Sequence, residues 1–270
     1  MLDPVAGRLS KADLESYRRD GYLVLRGAIP TEPIDRLMRA VAHVIRLESG
    51  SERDDAAVLN EVLIALKQSN PSSSSWIYQT IQSSWALKQF FTDIDIVPYV
   101  CALLEMDDPA NLGTVSPAFR FDIPGDTRNI RTWHQDSAYF LENEAGRDHL
   151  VTWIPLNRAT RDNGSVIIAP GSHRDGRRPR DHSKASGFAS EQYTSPIEGL
   201  DPAQFVTIEA EAGDIAFIDM DLLHSSGTNV TSDEVRYTAQ IRFNTINRPE
   251  YRPVFLRPEY PEYERNQPQG

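Results

Sequence analysis

The stretch Leu150-Val-Thr-Trp-Ile-Pro-Leu-Asn-Arg-Ala-Thr-Arg-Asp-Asn-Gly-Ser-Val-Ile-Ile-Ala-Pro-Gly171 decides the fold class. Two short apolar runs, at 150–154 and 165–169, are bounded by Asn163-Gly164 and Pro170-Gly171, the punctuation of strands and turns. The same rhythm spreads outward. Runs at 118–123, 130–134, 204–208, 214–218 and 236–244 read as strands, with Pro124-Gly125 and Ala212-Gly213 between them. Many short strands without helices between them imply a sandwich or a barrel.

Before about residue 111 the periodicity is helical. Ser10-Lys-Ala-Asp13 has the form of a capping box, and Gly21 stops the helix that it starts. Tyr22-Leu-Val-Leu25 suits a strand. Thr31 offers an N-cap to a helix with Ile34, Leu37, Met38, Val41 and Ile45 on one face and Gly50 at its end. Further helices are expected over about 54–68, 85–91 and 97–104, and Pro71 with Ser72, Ser73, Ser74 and Ser75 is expected to form a loop. The expected organisation is one domain over 1–270: a helical part to about 110, a β core over about 111–247, and an extended tail rich in Pro, Arg, Tyr and Glu.

Composition narrows the classes. A net charge of −11 argues against general nucleic-acid binding, which needs a basic face. Cys101 is the one cysteine, so an intrachain disulfide and a cysteine-based zinc site are excluded; its apolar surroundings read as a buried small hydrophobe. The start of the chain lacks the basic and apolar regions of a signal peptide, and no run is long enough to span a membrane. A cytoplasmic protein is the default expectation.

Three residues carry the chemistry: His134 and Asp136 in Arg131-Thr-Trp-His-Gln-Asp136, and His224 in Leu222-Leu-His-Ser-Ser-Gly-Thr-Asn229. His-x-Asp on a strand puts both side chains on one face, because the pleat has period two. Two histidines and a carboxylate are the facial set of non-haem iron oxygenases. A second His-x-Asp, His173-Arg-Asp175, follows a turn and runs into Arg174, Gly176, Arg177 and Arg178, which read as solvated loop. Context favours His134, flanked by the aromatics Trp133, Tyr139 and Phe140. His43 sits in an expected helix with no partner motif, His149 and His182 lie in polar segments, and all three read as surface or hydrogen-bonded structural residues. Arg236 is a cation placed to hold the far carboxylate of a dicarboxylic co-substrate, and Arg242 is the fallback on the same face.

These motifs together resemble the phytanoyl-CoA dioxygenase family of Fe(II)- and 2-oxoglutarate-dependent oxygenases. The resemblance rests on Asp20-Gly-Tyr-Leu-Val-Leu25, Trp133-His-Gln-Asp136, Trp153-Ile-Pro-Leu-Asn157, Asn163-Gly-Ser165, Ile168-Ala-Pro-Gly-Ser-His173, Gly213-Asp214, His224-Ser-Ser-Gly-Thr-Asn229 and Arg236. It implies a mainly β fold with N-terminal helices around a double-stranded β-helix (jelly roll, cupin-like) core. It implies that His134, Asp136 and His224 are the iron ligands and that the Pro-Gly-Ser-His segment is a structural turn. Arg236 and Ser226 would hold the distal carboxylate of 2-oxoglutarate, Trp153 would line its pocket, and Gln79 or Tyr78 would contact it from the helical part. The resemblance further implies O2 as the oxidant, with ascorbate as an accessory reductant, and release of succinate and CO2. The spacing from His224 to Arg236 is one residue longer than is usual in the family, which a one-residue bulge would absorb. The carboxylate Asp136 argues against halogenation, which relatives lacking it perform.

The substrate is expected to be a small metabolite, and the oligomeric state is unreadable. The basic island Arg174, Arg177, Arg178, Arg180 and Lys184 reads either as a solvated loop or as a lid for an anionic substrate. Tyr139, Phe140 and Trp76 could form an apolar wall, or belong to the core. Three rival readings use the same residues: desaturation, epimerisation or cyclisation in biosynthesis; a zinc-type metallohydrolase; and a non-catalytic binding protein.

Overall fold

Ser10 opens the first helix by the reciprocal bonds of a capping box. Its hydroxyl accepts the Asp13 N–H at 3.1 Å while its own N–H donates to the Asp13 carboxylate at 2.8 Å. The computed structural model describes residues 9–51, 56–126, 130–140, 149–179, 181–183 and 192–247. The expected extended tail therefore lies outside the described residues. The helices are α1 (Lys11–Asp20), α2 (Thr31–Ser49), α3 (Ala56–Ser69), α4 (Pro71–Ser83), α5 (Trp85–Asp93), α6 (Val97–Leu103) and the short α7 (Ser137–Phe140). The strands are β1 (Tyr22–Leu25), β2 (Leu112–Asp122), β3 (His149–Pro155), β4 (Val166–Ile168), β5 (Asp181–Ser183), β6 (Gln192–Thr194), β7 (Val206–Thr207), β8 (Ile215–Asp219), β9 (His224–Ser226) and β10 (Arg236–Thr245).

Two expectations about the helices need correction. Pro71 and the serines after it are not a loop: they form the first turns of α4. Proline fits N1, and Ile77 and Ile81, one turn apart and both buried, bring the helix into the core despite poor local propensity. Thr31 lies inside α2 rather than capping it; Pro30 is the N-cap and makes no side-chain bond.

Five strands make a large antiparallel sheet in the order β1-β8-β3-β10-β2, and three make a smaller one, β7-β4-β9. β1 comes from the helical third and pairs with β8 at the edge, Tyr22 opposite Ile218. The large sheet is covered on both sides, and strand periodicity divides its residues. Leu150 and Ile154 of β3, Ile215 and Phe217 of β8, and Tyr237, Ala239, Ile241 and Phe243 of β10 join the helices in the main core. The alternate residues Val151 and Trp153 of β3 and Ala216 and Ile218 of β8 pack with Val166 and Ile168 of the small sheet in a second cluster. The two sheets therefore face each other, and the space between them holds the site. This is the expected jelly-roll arrangement.

At the far edge, β2 carries a register shift against β10, where Gln240 opposes Ala118 but Arg242 opposes Val115. Next to it, the Gln82 side-chain amide of α4 grips the Phe119 backbone, its nitrogen donating to the carbonyl and its oxygen accepting the N–H.

Candidate metal centre and co-substrate cavity

His134 and His224 face each other through their backbones before their side chains meet. The His134 N–H donates to the His224 carbonyl at 2.9 Å and the reverse bond is 3.0 Å. The expected regular strand at 130–134 is absent: His134 sits in an isolated bridge and Asp136 in the turn into α7. Pairing persists only as separate bonds, Ser226 N–H to the Arg131 carbonyl and Ser137 N–H to the Met220 carbonyl. Period two is thus not what aligns His134 with Asp136; the irregular pairing with 220–226 does.

The two imidazoles are held alike. Each Nδ1 bonds the carbonyl two residues earlier, His134 to Thr132 at 2.7 Å and His224 to Leu222 at 2.9 Å. A carbonyl can only accept, so both Nδ1 atoms carry the proton and both Nε2 atoms offer lone pairs. Those Nε2 atoms lie 3.5 and 3.8 Å from Asp136 Oδ1. The other carboxylate oxygen, Oδ2, accepts a 2.8 Å bond from Arg242 Nε. Burial by itself raises the Asp136 pKa, but the Arg242 guanidinium, the largest opposing cause, holds the carboxyl well below its usual range. Burial, with His134 nearby, pushes His224 down to about 4, so it is neutral at physiological pH. Two imidazoles and a carboxylate, with ligand atoms within 4.8 Å of one another, fit a divalent ion such as Fe(II). Arg242, the fallback anchor, thus bonds the Asp136 carboxylate through Nε while lining the same cavity.

The three residues line a cavity of about 220 Å³ between the sheets, together with Trp153, Ser226 and Arg236. Arg236 is buried and lies 6.0 Å over the Trp153 ring. Its Nη2 donates to Asp122 at 2.8 Å and to the Gly164 carbonyl at 2.9 Å, and its Nε to the Asn163 carbonyl at 3.2 Å. Burial lowers its pKa, which Asp122 opposes. The connection between β9 and β10 runs over 227–235, and the register shift of β2 against β10 lies beyond Arg236, between Gln240 and Arg242. Ser226 accepts the Arg131 N–H at 3.2 Å through its hydroxyl.

Gln79 does not reach the cavity. It is exposed on α4, and its neighbour Tyr78 is the α4 residue on the wall, because one helical step turns the side chain by about 100°. Trp76 is also exposed and does not line this cavity; the side chains of Tyr139 and Phe140 lie outside the described residues. His173 is not in a solvated loop. It is buried, and its Nε2 lies 3.1 Å from the Arg18 carbonyl, away from the metal ligands. Of the basic island, Arg178 pairs with Asp175 at 3.1 Å, while Arg180 and Lys184 lie outside the described residues. Sequence reasoning missed Arg120 and Arg131, which line the same cavity. Arg131 opens the quoted run to Asp136, three residues before His134, whereas Arg120 stands in no motif. Sequence reasoning also missed the packing of His149 with Asp219 and Asp221.

The family model described as phytanoyl-CoA dioxygenase (PhyH) matches residues 17–237. Human peroxisomal phytanoyl-CoA dioxygenase is 25% identical over 219 residues, covering 80% of this chain and 62% of that enzyme. The ectoine dioxygenase of Bordetella bronchiseptica is 25% identical over 265 residues, covering 91% of this chain and 80% of its own. Among solved structures, EvdO2 from Micromonospora carbonacea var. aurantiaca aligns with a TM-score of 0.61 at 20% identity, over 88% of this chain and 92% of that one. At that identity the likeness is one of fold.

Proposed function

The chain belongs to the phytanoyl-CoA dioxygenase family, and on that premise we propose that it hydroxylates an unactivated C–H of a small-molecule metabolite while 2-oxoglutarate is converted to succinate and CO2. It is a non-haem iron, 2-oxoglutarate-dependent oxygenase. The observation that carries the finer reading is the meeting of His134, Asp136 and His224 on the wall that also carries Arg236.

His134 Nε2, His224 Nε2 and one oxygen of Asp136 would hold the iron, leaving the cavity side of the ion to small ligands. The iron supplies O2 activation coupled to oxidative decarboxylation of the 2-oxo acid. The protein binds, orients and keeps water out. Arg236 and Ser226 would receive the distal carboxylate of 2-oxoglutarate. Three bonds from Arg236 to Asp122, Asn163 and Gly164 fix its guanidinium before any ligand arrives. Trp153 would cover the chain of the co-substrate, and Tyr78 closes the wall from α4. The lining carries Arg120, Arg131, Arg236 and Arg242, balanced in part by Asp136 and by Asp122 beside it, an electrostatic setting that suits an anion. Among the described residues no helix is long and apolar enough to cross a membrane.

The test uses the purified protein with Fe(II), ascorbate and 2-oxoglutarate, offered lipids, acyl thioesters, amino acids and polyketide- or peptide-like metabolites. Succinate release is the readout, and products are weighed by mass spectrometry. A product heavier by one oxygen atom supports the reading, and His134→Ala abolishes both signals. A product lighter by two hydrogens, or of unchanged mass, replaces hydroxylation with desaturation, epimerisation or cyclisation. Full succinate formation by His134→Ala removes the site from the reaction.

A further inference from the structure

A second histidine–carboxylate cluster lies outside the cavity just described. His149 opens β3, Asp219 closes β8, and Asp221 lies in the turn that leads to His224. His149 and Asp219 are buried at 5% and 4% exposure, and the Asp221 side chain is 18% exposed. His149 Nε2 stands 3.8 Å from Asp219 Oδ1 and 3.5 Å from Asp221 Oδ2. The two spans match those of the facial set, 3.5 and 3.8 Å.

Hydrogen bonding accounts for only part of this cluster: Asp219 Oδ1 accepts the Asp221 N–H at 2.8 Å. His149 Nε2 is buried and has no hydrogen-bond partner, although it points between two carboxylates. Asp221 Oδ1 is likewise buried and unpartnered. An imidazolium clamped by aspartates would close to roughly 2.7–2.9 Å, the length of a charge-assisted bond. Two ligand atoms on a tetrahedral ion stand about 3.4 Å apart, given metal–ligand bonds near 2.1 Å. The observed spans lie nearer the second figure. Burial also pushes the Asp219 carboxyl up, against the opposing effect of His149.

We propose that His149, Asp219 and Asp221 form a second divalent-cation site, independent of the facial set. One imidazole and two carboxylates suit Zn²⁺, Mn²⁺ or Fe²⁺ better than Ca²⁺ or Mg²⁺, which favour all-oxygen shells. The ion ties the start of β3 to the end of β8 and to the turn before His224. That turn also receives the metal motif, because Gln135 Nε2 donates to the Asp221 carbonyl at 2.6 Å. The second ion is thus structural, and it braces the segment between His134 and Asp136.

Equilibrium dialysis of the metal-free full-length protein against Zn²⁺, with bound ions counted by mass spectrometry, tests this. The expected counts are two ions per chain for the wild type, one for His134→Ala/His224→Ala, and one for His149→Asn/Asp221→Asn. Circular dichroism checks that each variant is folded. Asp221→Asn alone, at the least buried of the three ligands, is the milder variant; its second-site affinity falls about tenfold or more. Zn²⁺ also raises the melting temperature of His134→Ala/His224→Ala, in which the second site alone remains. One ion per chain in the wild type overturns the proposal and leaves a bridging water as the occupant. So does an ion count or second-site affinity that is unchanged in the His149 and Asp221 variants.

Discussion

Along β10, Tyr237, Ala239, Ile241 and Phe243 pack under the helices, while the alternate positions Arg236, Gln240 and Arg242 line the cavity. One strand therefore serves two environments. On the helix side, apolar area removed from water supplies stability. On the cavity side, two buried guanidiniums are tolerated because each meets a carboxylate, Arg236 with Asp122 and Arg242 with Asp136, both at 2.8 Å. The same division holds for β3, where Leu150 and Ile154 face the helices and Val151 and Trp153 face the cavity. Stability and chemistry are thus interleaved residue by residue and can be perturbed separately.

The largest effect should come from the helix side. Phe217→Ala empties a fully buried position and should cost about 3–5 kcal/mol in denaturant unfolding, with iron affinity of the folded fraction preserved. Loss of iron binding in protein that is still folded would show that the two faces are not separable. Next is Arg236→Met, which should weaken 2-oxoglutarate by about 2–5 kcal/mol, or roughly 30-fold and upward in KM. Iron affinity should stay constant; an unchanged KM would confine Arg236 to holding Asp122. Third is Arg242→Met, which strips the carboxylate ligand of its cation and should weaken iron by about 10–100-fold. The sign with pH follows from the cause. Arg242 depresses the Asp136 pKa, so its removal raises that pKa, and proton competition for the ligand begins at higher pH. The acid limb of iron binding should shift upward, and a superimposable pH profile would contradict the role. The smallest effect is Val151→Ala on the cavity side, about 1–2 kcal/mol in unfolding. A cost equal to that of Phe217→Ala would erase the contrast between the faces.

Much of the fold was legible because hydrophobic periodicity survives in single elements. The capping box at Ser10, the stop at Gly21, the apolar face of α2 and the strands β3, β8 and β10 all stand where their patterns place them. The failures have one physical origin, tertiary contacts that override local preference. The serine run before Ile77 folds as helix because Ile77 and Ile81 reach the core. The segment at 130–134 has strand-like composition but lacks a continuous ladder, since only scattered bonds join it to 220–226. At the site, residue types and order brought out His134, Asp136, His224 and Arg236, whose placement needs no angular detail. Gln79 against Tyr78 turned on the rotation of one helix, which a short motif does not contain. Arg242 and Asp136, 106 residues apart, pair in a contact that no local pattern encodes.

The Gln82 clamp on Phe119 reaches beyond α4. β2 ends the large sheet, and an edge strand shows unsatisfied amides that can recruit a strand from another molecule. By taking both backbone groups of Phe119, the glutamine makes the helical layer a guard against self-association. A jelly roll trimmed of its first hundred or so residues would lose this guard together with β1, leaving the sheet with raw borders at both ends and a tendency to polymerise.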